Sequence, residues 1–167
     1  MNIAKNVAGV AFVITLLAGV SASAMNFNHV SKCQIVQAGG TWTSAGQFDN
    51  TSLGTAELWC PVDYTLGSAP TSVTASVWSN GCQSISGTFV VGQSARVCVA
   101  HAGGGAATCG SFKEPATCNA GVNQLNALVP GSFNPNSGDY LYLDVFMEPR
   151  NPNNNSDDTF FGYTILP

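Results

Sequence analysis

The sequence predicts an all-β protein: a single antiparallel β-sandwich of about eight strands, immunoglobulin- or jelly-roll-like in kind and stapled by disulfides. Three observations carry that expectation. Short runs rich in β-branched and aromatic residues recur along the chain, separated by Gly, Pro, Asn and Ser. No stretch beyond the first two dozen residues holds a convincing helical period. Six cysteines follow an export signal, an even number that reads as three bridges in an oxidising compartment.

The signal comes first. "MNIAKNV" carries one positive charge, Lys5, and "AGVAFVITLLAGV" is apolar but too short to span a bilayer with these flanks. "SASA" then places Ala22 and Ala24 in the A-x-A arrangement of a signal-peptidase site, which predicts cleavage between Ala24 and Met25. Residues 1–24 are expected to be a signal peptide. Residues 25–167 are expected to form one secreted β-sandwich domain, and its 143 residues are enough to bury a core. Secretion to the extracellular space or periplasm is expected, with no membrane insertion after cleavage.

The expected strands are "CQIVQ" at 33–37, "AELWC" at 56–60, "SVTASVWS" at 72–79, "GTFVV" at 87–91 and "ARVCVAH" at 95–101. "QLNALVP" near 124–130, "YLYLDVFME" at 140–148 and "FFGYTIL" at 160–166 complete the set. Alternation is clearest in the seventh. Leu141, Leu143, Val145 and Met147 share the face expected to be core, and Tyr140, Tyr142, Asp144, Phe146 and Glu148 share a face expected to be partly wet. "CNAGVNQLNALV" is the one place where a helical turn is allowed, against the weight of its Gly and Asn residues. "PGSFNPNSGD" and "PRNPNNNSDD" have the Pro and Asn chemistry of long irregular connections.

Cleavage leaves Lys32, Arg96, Lys113 and Arg150 against nine acids, a net charge of −5. Nothing basic remains to follow a phosphate backbone, which argues against a nucleic-acid partner. Charged residues of both signs make up only 8% of the chain. Solubility must therefore rest on Ser, Thr, Asn and Gln, as in secreted β-proteins and in surfaces that pack against something.

The cysteines are Cys33, Cys60, Cys82, Cys98, Cys109 and Cys118. Sequence alone does not choose among their pairings. The preferred set is sequential, Cys33 with Cys60, Cys82 with Cys98 and Cys109 with Cys118, because hairpins bring near neighbours together. Each such loop closure stabilises by about 2–4 kcal/mol. A zinc site would want C-x-x-C pairs or clustered histidines, and neither is present; no cofactor is expected.

Several of these runs together resemble a known group. "KCQIV", a Gly-rich polar stretch, "FDNTS" and "LWCPVD" resemble the opening of a large group of small secreted bacterial proteins without an assigned function. "VTASVW", "ARVCVAH", the tyrosine-rich "YLYLDVFMEP" and the terminal "GYTIL" continue the likeness across most of the mature chain. The resemblance implies a bacterial, exported, disulfide-bonded β-sandwich and carries no activity with it. Such proteins often have a cysteine about where Val145 stands. Its absence leaves Cys98 in need of another partner, with Cys82 the nearest, and makes Cys33–Cys60 the firmest pair.

Candidate chemistry is sparse. His29 lies close to the mature N-terminus, where chains are usually loose. His101 ends a strand and is a candidate general base, but no G-x-S-x-G elbow accompanies it. Gly103, Gly104 and Gly105 do not lead into a helix, as a phosphate loop would, and read as a turn. Asp144 and Glu148 share a strand face but stand about 13 Å apart at the usual strand rise, too far for a coupled acid pair. Asp157 and Asp158, after "NNNS", offer hard oxygens to calcium without the D-x-D-x-D-G spacing that would make the signal strong. Tyr140, Tyr142 and Phe146 share one strand face, and with Trp42, Trp59 and Trp78 elsewhere they suggest a platform on which sugar rings stack. Against this stands the usual role of Trp in a sandwich core and of Tyr pairs as sheet stabilisers. Asn50 and Asn154 begin glycosylation acceptor patterns, which a bacterial source would leave unused.

The sequence therefore points first to a non-enzymatic exported protein with a structural or interaction role. A carbohydrate-binding module built on the aromatic strand face is the alternative, and a secreted hydrolase using His101 is a third class. The partners it suggests are further copies of the chain, joined through exposed sheet edges, or surface glycans.

Overall fold

The computed structural model describes residues 26–29, 32–37, 39–44, 46–64, 69–79, 83–85, 88–90, 93–116, 120–150 and 157–167, with 26–29, 83–85 and 88–90 described by backbone alone. The expected signal peptide lies outside the described residues. Among the described residues there are thirteen strands: β1 Asn26–His29, β2 Gln34–Gln37, β3 Thr41–Trp42, β4 Phe48–Asn50, β5 Ala56–Val62, β6 Ser72–Ser79 and β7 Gln83–Ile85. They continue with β8 Thr88–Val90, β9 Gln93–Ala100, β10 Thr108–Cys109, β11 Gly121–Leu128, β12 Tyr140–Met147 and β13 Asp158–Leu166.

They make a sandwich of two antiparallel sheets. One runs β11-β6-β13-β4-β3, with β1 also pairing β13; the other runs β10-β9-β12-β5-β2; β7 and β8 form a separate two-stranded hairpin. All eight expected strands are present. The shorter β1, β3, β4, β7 and β10 were not expected, since two to four residues carry too little alternation to register. The 118–129 stretch, where a helical turn was allowed, contains β11 instead: residues 121–128 pair in unbroken register with 72–79. His29 likewise lies in a strand, its backbone paired with Gly162.

The core follows the alternation. Leu58, Cys60, Val97, Val99, Leu141, Leu143, Val145 and Met147 from one sheet meet Val73, Ala75, Val77, Leu125, Ala127, Phe160, Tyr163 and Phe48 from the other, all essentially closed to solvent. Burying each large aliphatic or aromatic side chain contributes about 1.5–3 kcal/mol before chain entropy is counted. The Tyr163 hydroxyl donates to the Pro61 carbonyl and so ties one sheet to the other.

β13 shows how a one-residue insertion serves this packing. Phe160 pairs with Val77 and Gly162 with Ser76, so Phe161 is an extra residue in a bulge, and Gly162 takes φ 142°. The bulge reverses the alternation. Asp158 and Phe160 are buried before it, Tyr163 and Ile165 after it. At the same point the outer neighbour of β13 changes from β4 to β1.

Two bridges lie among the described residues. Cys33–Cys60 is as expected. Cys98 is bonded to Cys109, which overturns the expected Cys82–Cys98 and Cys109–Cys118 bridges. The reason is topological. The chain after β9 turns straight back, and β10 pairs Cys109 directly with Cys98 across the ladder. Cys82 and Cys118 lie outside the described residues. The two bridges fit an oxidising compartment, and among the described residues no helix is long and apolar enough to cross a membrane.

Candidate functional site

The outer face of the β10-β9-β12-β5-β2 sheet gathers most of the chemistry-bearing side chains. In β5, Ala56, Leu58, Cys60 and Val62 point inward, so Glu57, Trp59 and Pro61 point out. In β12 the outward set is Tyr140, Tyr142, Asp144 and Phe146, and the ladder sets Asp144 between Trp59 and Arg96, and Tyr142 between Pro61 and Cys98.

Register thus builds an aromatic strip from residues far apart in sequence. Trp59 and Tyr142 have ring centroids 5.2 Å apart at 44°, and Tyr140 and Tyr142 have centroids 6.2 Å apart at 32°. Tyr142 is 9% exposed, whereas Trp59 and Tyr140 on either side are 40% and 53% exposed. Two rings are therefore available to a ligand, with a third supporting them. Phe146 is half-buried and lies in the row of Glu57 and Ser94, so it does not join the strip. Trp42 packs edge-on against Phe48 at 5.1 Å in the opposite sheet, and Trp78 lies in that sheet as well.

The strip has a charged margin. Trp59 Nε1 donates to Glu57 Oε1 at 2.9 Å, and Arg96 Nε donates to Asp144 Oδ2 at 2.8 Å. The Arg96 guanidinium lies 4.1 Å above the Phe112 ring, a cation–π contact that holds it in place. Burial pushes the Asp144 carboxyl above its ordinary value; Arg96 opposes this, and the neighbouring Glu57 carboxyl adds to it. Burial, with Asp144 beside it, also pushes the Tyr142 hydroxyl up. Asp144 and Glu148, both expected on a partly wet face, are in fact buried.

Trp59 was named in the sequence as a platform candidate but not placed beside the tyrosines, and Arg96 and Phe112 were not singled out as site residues. The signal for Trp59 was present, since alternation along "AELWCPV" places it on the face away from Leu58 and Cys60. Arg96 and Phe112 gave none, because only the β9–β12 register and the return of the chain after β10 bring them there.

A second constellation sits one step beyond the strip. His101 follows Ala100 and Asp139 precedes Tyr140, the end pair of the antiparallel β9–β12 ladder. His101 Nδ1 lies 3.2 Å from Asp139 Oδ2, and His101 Nε2 lies 3.1 Å from Thr108 Oγ1. The connection 130–139 is shaped to deliver Asp139. Asn134 caps a 3-10 turn, Pro135–Ser137, by accepting from the Asn136 amide, and Gly138 closes it at φ 80°. The Ala102 amide donates to Asp139 Oδ1 at 3.3 Å and the Asn134 amide to Oδ2 at 3.2 Å. Burial pushes this carboxyl up, but hydrogen bonds from Ser137, Asn134, Ala102 and His101 together outweigh it and hold the group below its ordinary value. The sequence showed His101 without a partner; the fold supplies two.

The other candidates are dispersed. Asp157 pairs with Arg150 at 2.9 Å and Asp158 is buried at the start of β13, while 151–156 lie outside the described residues. Among the described residues no three His, Cys, Asp or Glu are grouped to hold a metal. Asn50 is fully buried, donating to Gly54 O at 2.9 Å and Glu148 O at 2.6 Å, so this acceptor pattern serves to join strand ends.

Fold and site together define a disulfide-stapled β-sandwich with an aromatic strip on one outer face. No protein-family model matches the chain, nor does any curated protein. Among solved structures, the chain is similar to a family two carbohydrate esterase from Cellvibrio japonicus, with a TM-score of 0.43 and 12% identity, covering 86% of this chain and 35% of that one. The chain thus spans about a third of the length of that protein.

Proposed function

We propose that this chain is an exported interaction protein that holds a saccharide across Trp59 and Tyr140. The observation that carries the reading is the pair of half-exposed rings on either side of the covered Tyr142. A sugar ring offers C–H faces to aromatic rings and hydroxyls to the polar margin, which here is Glu57 and Arg96. The strip lies on paired strands, so little ordering cost falls on the protein when a ligand docks.

Glycan-array binding followed by titration tests this. Trp59→Ala and Tyr140→Ala should each weaken binding about three- to tenfold, the scale of one lost aromatic contact, with the melting temperature retained. Absence of binding to any glycan, or binding unchanged in both variants, overturns it.

One further observation supports a role in assembly. β11 ends its sheet with eight residues that include no charge and no proline, and Val122 and Leu128 are exposed on it. Natural edges usually carry such blocks against pairing. Electron microscopy should show filaments or paired copies that Val122→Lys with Leu128→Lys disperses; a monomer at high concentration removes this reading.

A further inference from the structure

We propose that Thr108, His101 and Asp139 form a nucleophile, base and orienting acid that transfer small acyl groups from esters to water. The hydrogen-bonded sequence runs from hydroxyl to imidazole to carboxylate with both links in bonding reach, 3.1 Å and 3.2 Å. Asp139 is buried and ionised, so it accepts a hydrogen bond from His101 Nδ1–H and leaves the Nε2 lone pair facing Thr108. That is the tautomer a general base needs.

The scaffold holds all three. His101 and Asp139 extend the β9–β12 ladder, and Thr108 pairs with Val99 one residue before the Cys98–Cys109 bridge. Thr108 is exposed, and Gly103, Gly104 and Gly105 between it and His101 would leave open space even around an added Cβ. An ester can therefore approach the hydroxyl from solvent.

In the first half, Thr108 Oγ1 bonds to the ester carbonyl carbon while its proton passes to His101 Nε2. Collapse of the tetrahedral adduct breaks the bond to the alcohol oxygen, and the alcohol leaves with that proton. In the second half, water gives a proton to Nε2 and adds to the acyl carbon. Collapse then releases the carboxylic acid and returns the proton to Thr108.

The same hydrogen bonds also tie the glycine loop to the 134–139 connection, so the test must separate chemistry from support. The probe is p-nitrophenyl acetate with the oxidised mature chain. Turnover is expected, falling about a hundredfold or more in Thr108→Ala and His101→Ala and surviving in Thr108→Ser. Mass spectrometry of quenched protein should find an acetyl group at position 108 in the wild type and none there in His101→Ala. A melt of each variant establishes that it is folded. Turnover no greater than that of His101→Ala, or acetyl groups found only on lysines, overturns the proposal.

Discussion

Arg96 Nε lies 2.8 Å from Asp144 Oδ2 across the β9–β12 ladder, with Asp144 closed to solvent and Arg96 partly open to it. A carboxylate in that position needs its cation. The strand face expected to be partly wet is in fact sealed at its centre, and the ion pair makes that burial tolerable.

Removing the cation should therefore cost more than removing both charges. Arg96→Ala leaves Asp144 uncompensated and should lower stability by about 2–4 kcal/mol near neutral pH, allowing for the partial exposure of Arg96. Arg96→Met with Asp144→Leu should recover much of the loss. Urea unfolding of the three proteins measures the difference.

Acid should act in opposite senses on two carboxyls. The folded state holds Asp139 below its ordinary value, so its contribution is present near neutrality and is lost as pH falls below about 3.9 and through the folded value. Asp139→Asn should therefore melt lower than wild type near neutrality, with the gap closing in acid. The folded state holds Asp144 above its ordinary value, so its contribution is full below about 3.9 and declines as pH rises through the folded value. Relative to Asp144→Asn, the wild type should gain melting temperature as pH falls. Melts from about pH 3 to about pH 7 distinguish the two.

Peptide mapping without reductant should recover Cys33–Cys60 and Cys98–Cys109. The third linked pair should be Cys82 with Cys118, the two cysteines that remain. The β6–β11 ladder pairs Ser79 with Gly121, and three further steps along each chain reach positions 82 and 118. Recovery of a Cys82–Cys98 peptide would contradict the structure.

Gly40 should not tolerate a side chain. A Cβ there would lie 2.5 Å from Phe48 Cζ and against the Asp49 carbonyl, whereas one at Gly131 would meet nothing. Gly40→Ala should lower stability by about 1–3 kcal/mol through overpacking. Gly131→Ala should stay within about 0.5 kcal/mol of wild type, as thermal or urea melts will show.

The fold was legible because strand alternation and disulfide chemistry are local signals. Leu141 through Met147 declared their core face by period two, and every expected strand formed. The site was less legible. Tyr140 and Tyr142 could be placed on one face from sequence, but their partner Trp59 lies over eighty positions away, and Phe146, on the same face, stands apart from the strip. His101 carried no sign of Asp139 or Thr108, because hydrogen bonding between strand ends depends on register.

The sequence by itself determined the all-β class and the core and outer faces of the alternating strand Tyr140–Met147, while for Cys33–Cys60 it gave a preference that the structure bears out. Tertiary structure decided which rings meet, that Cys98 joins Cys109, and that a histidine beside three glycines acquires a carboxylate and a hydroxyl. The physical reason is range. Periodicity and turn chemistry act over a few residues, whereas cross-strand register brings together side chains that no local pattern relates.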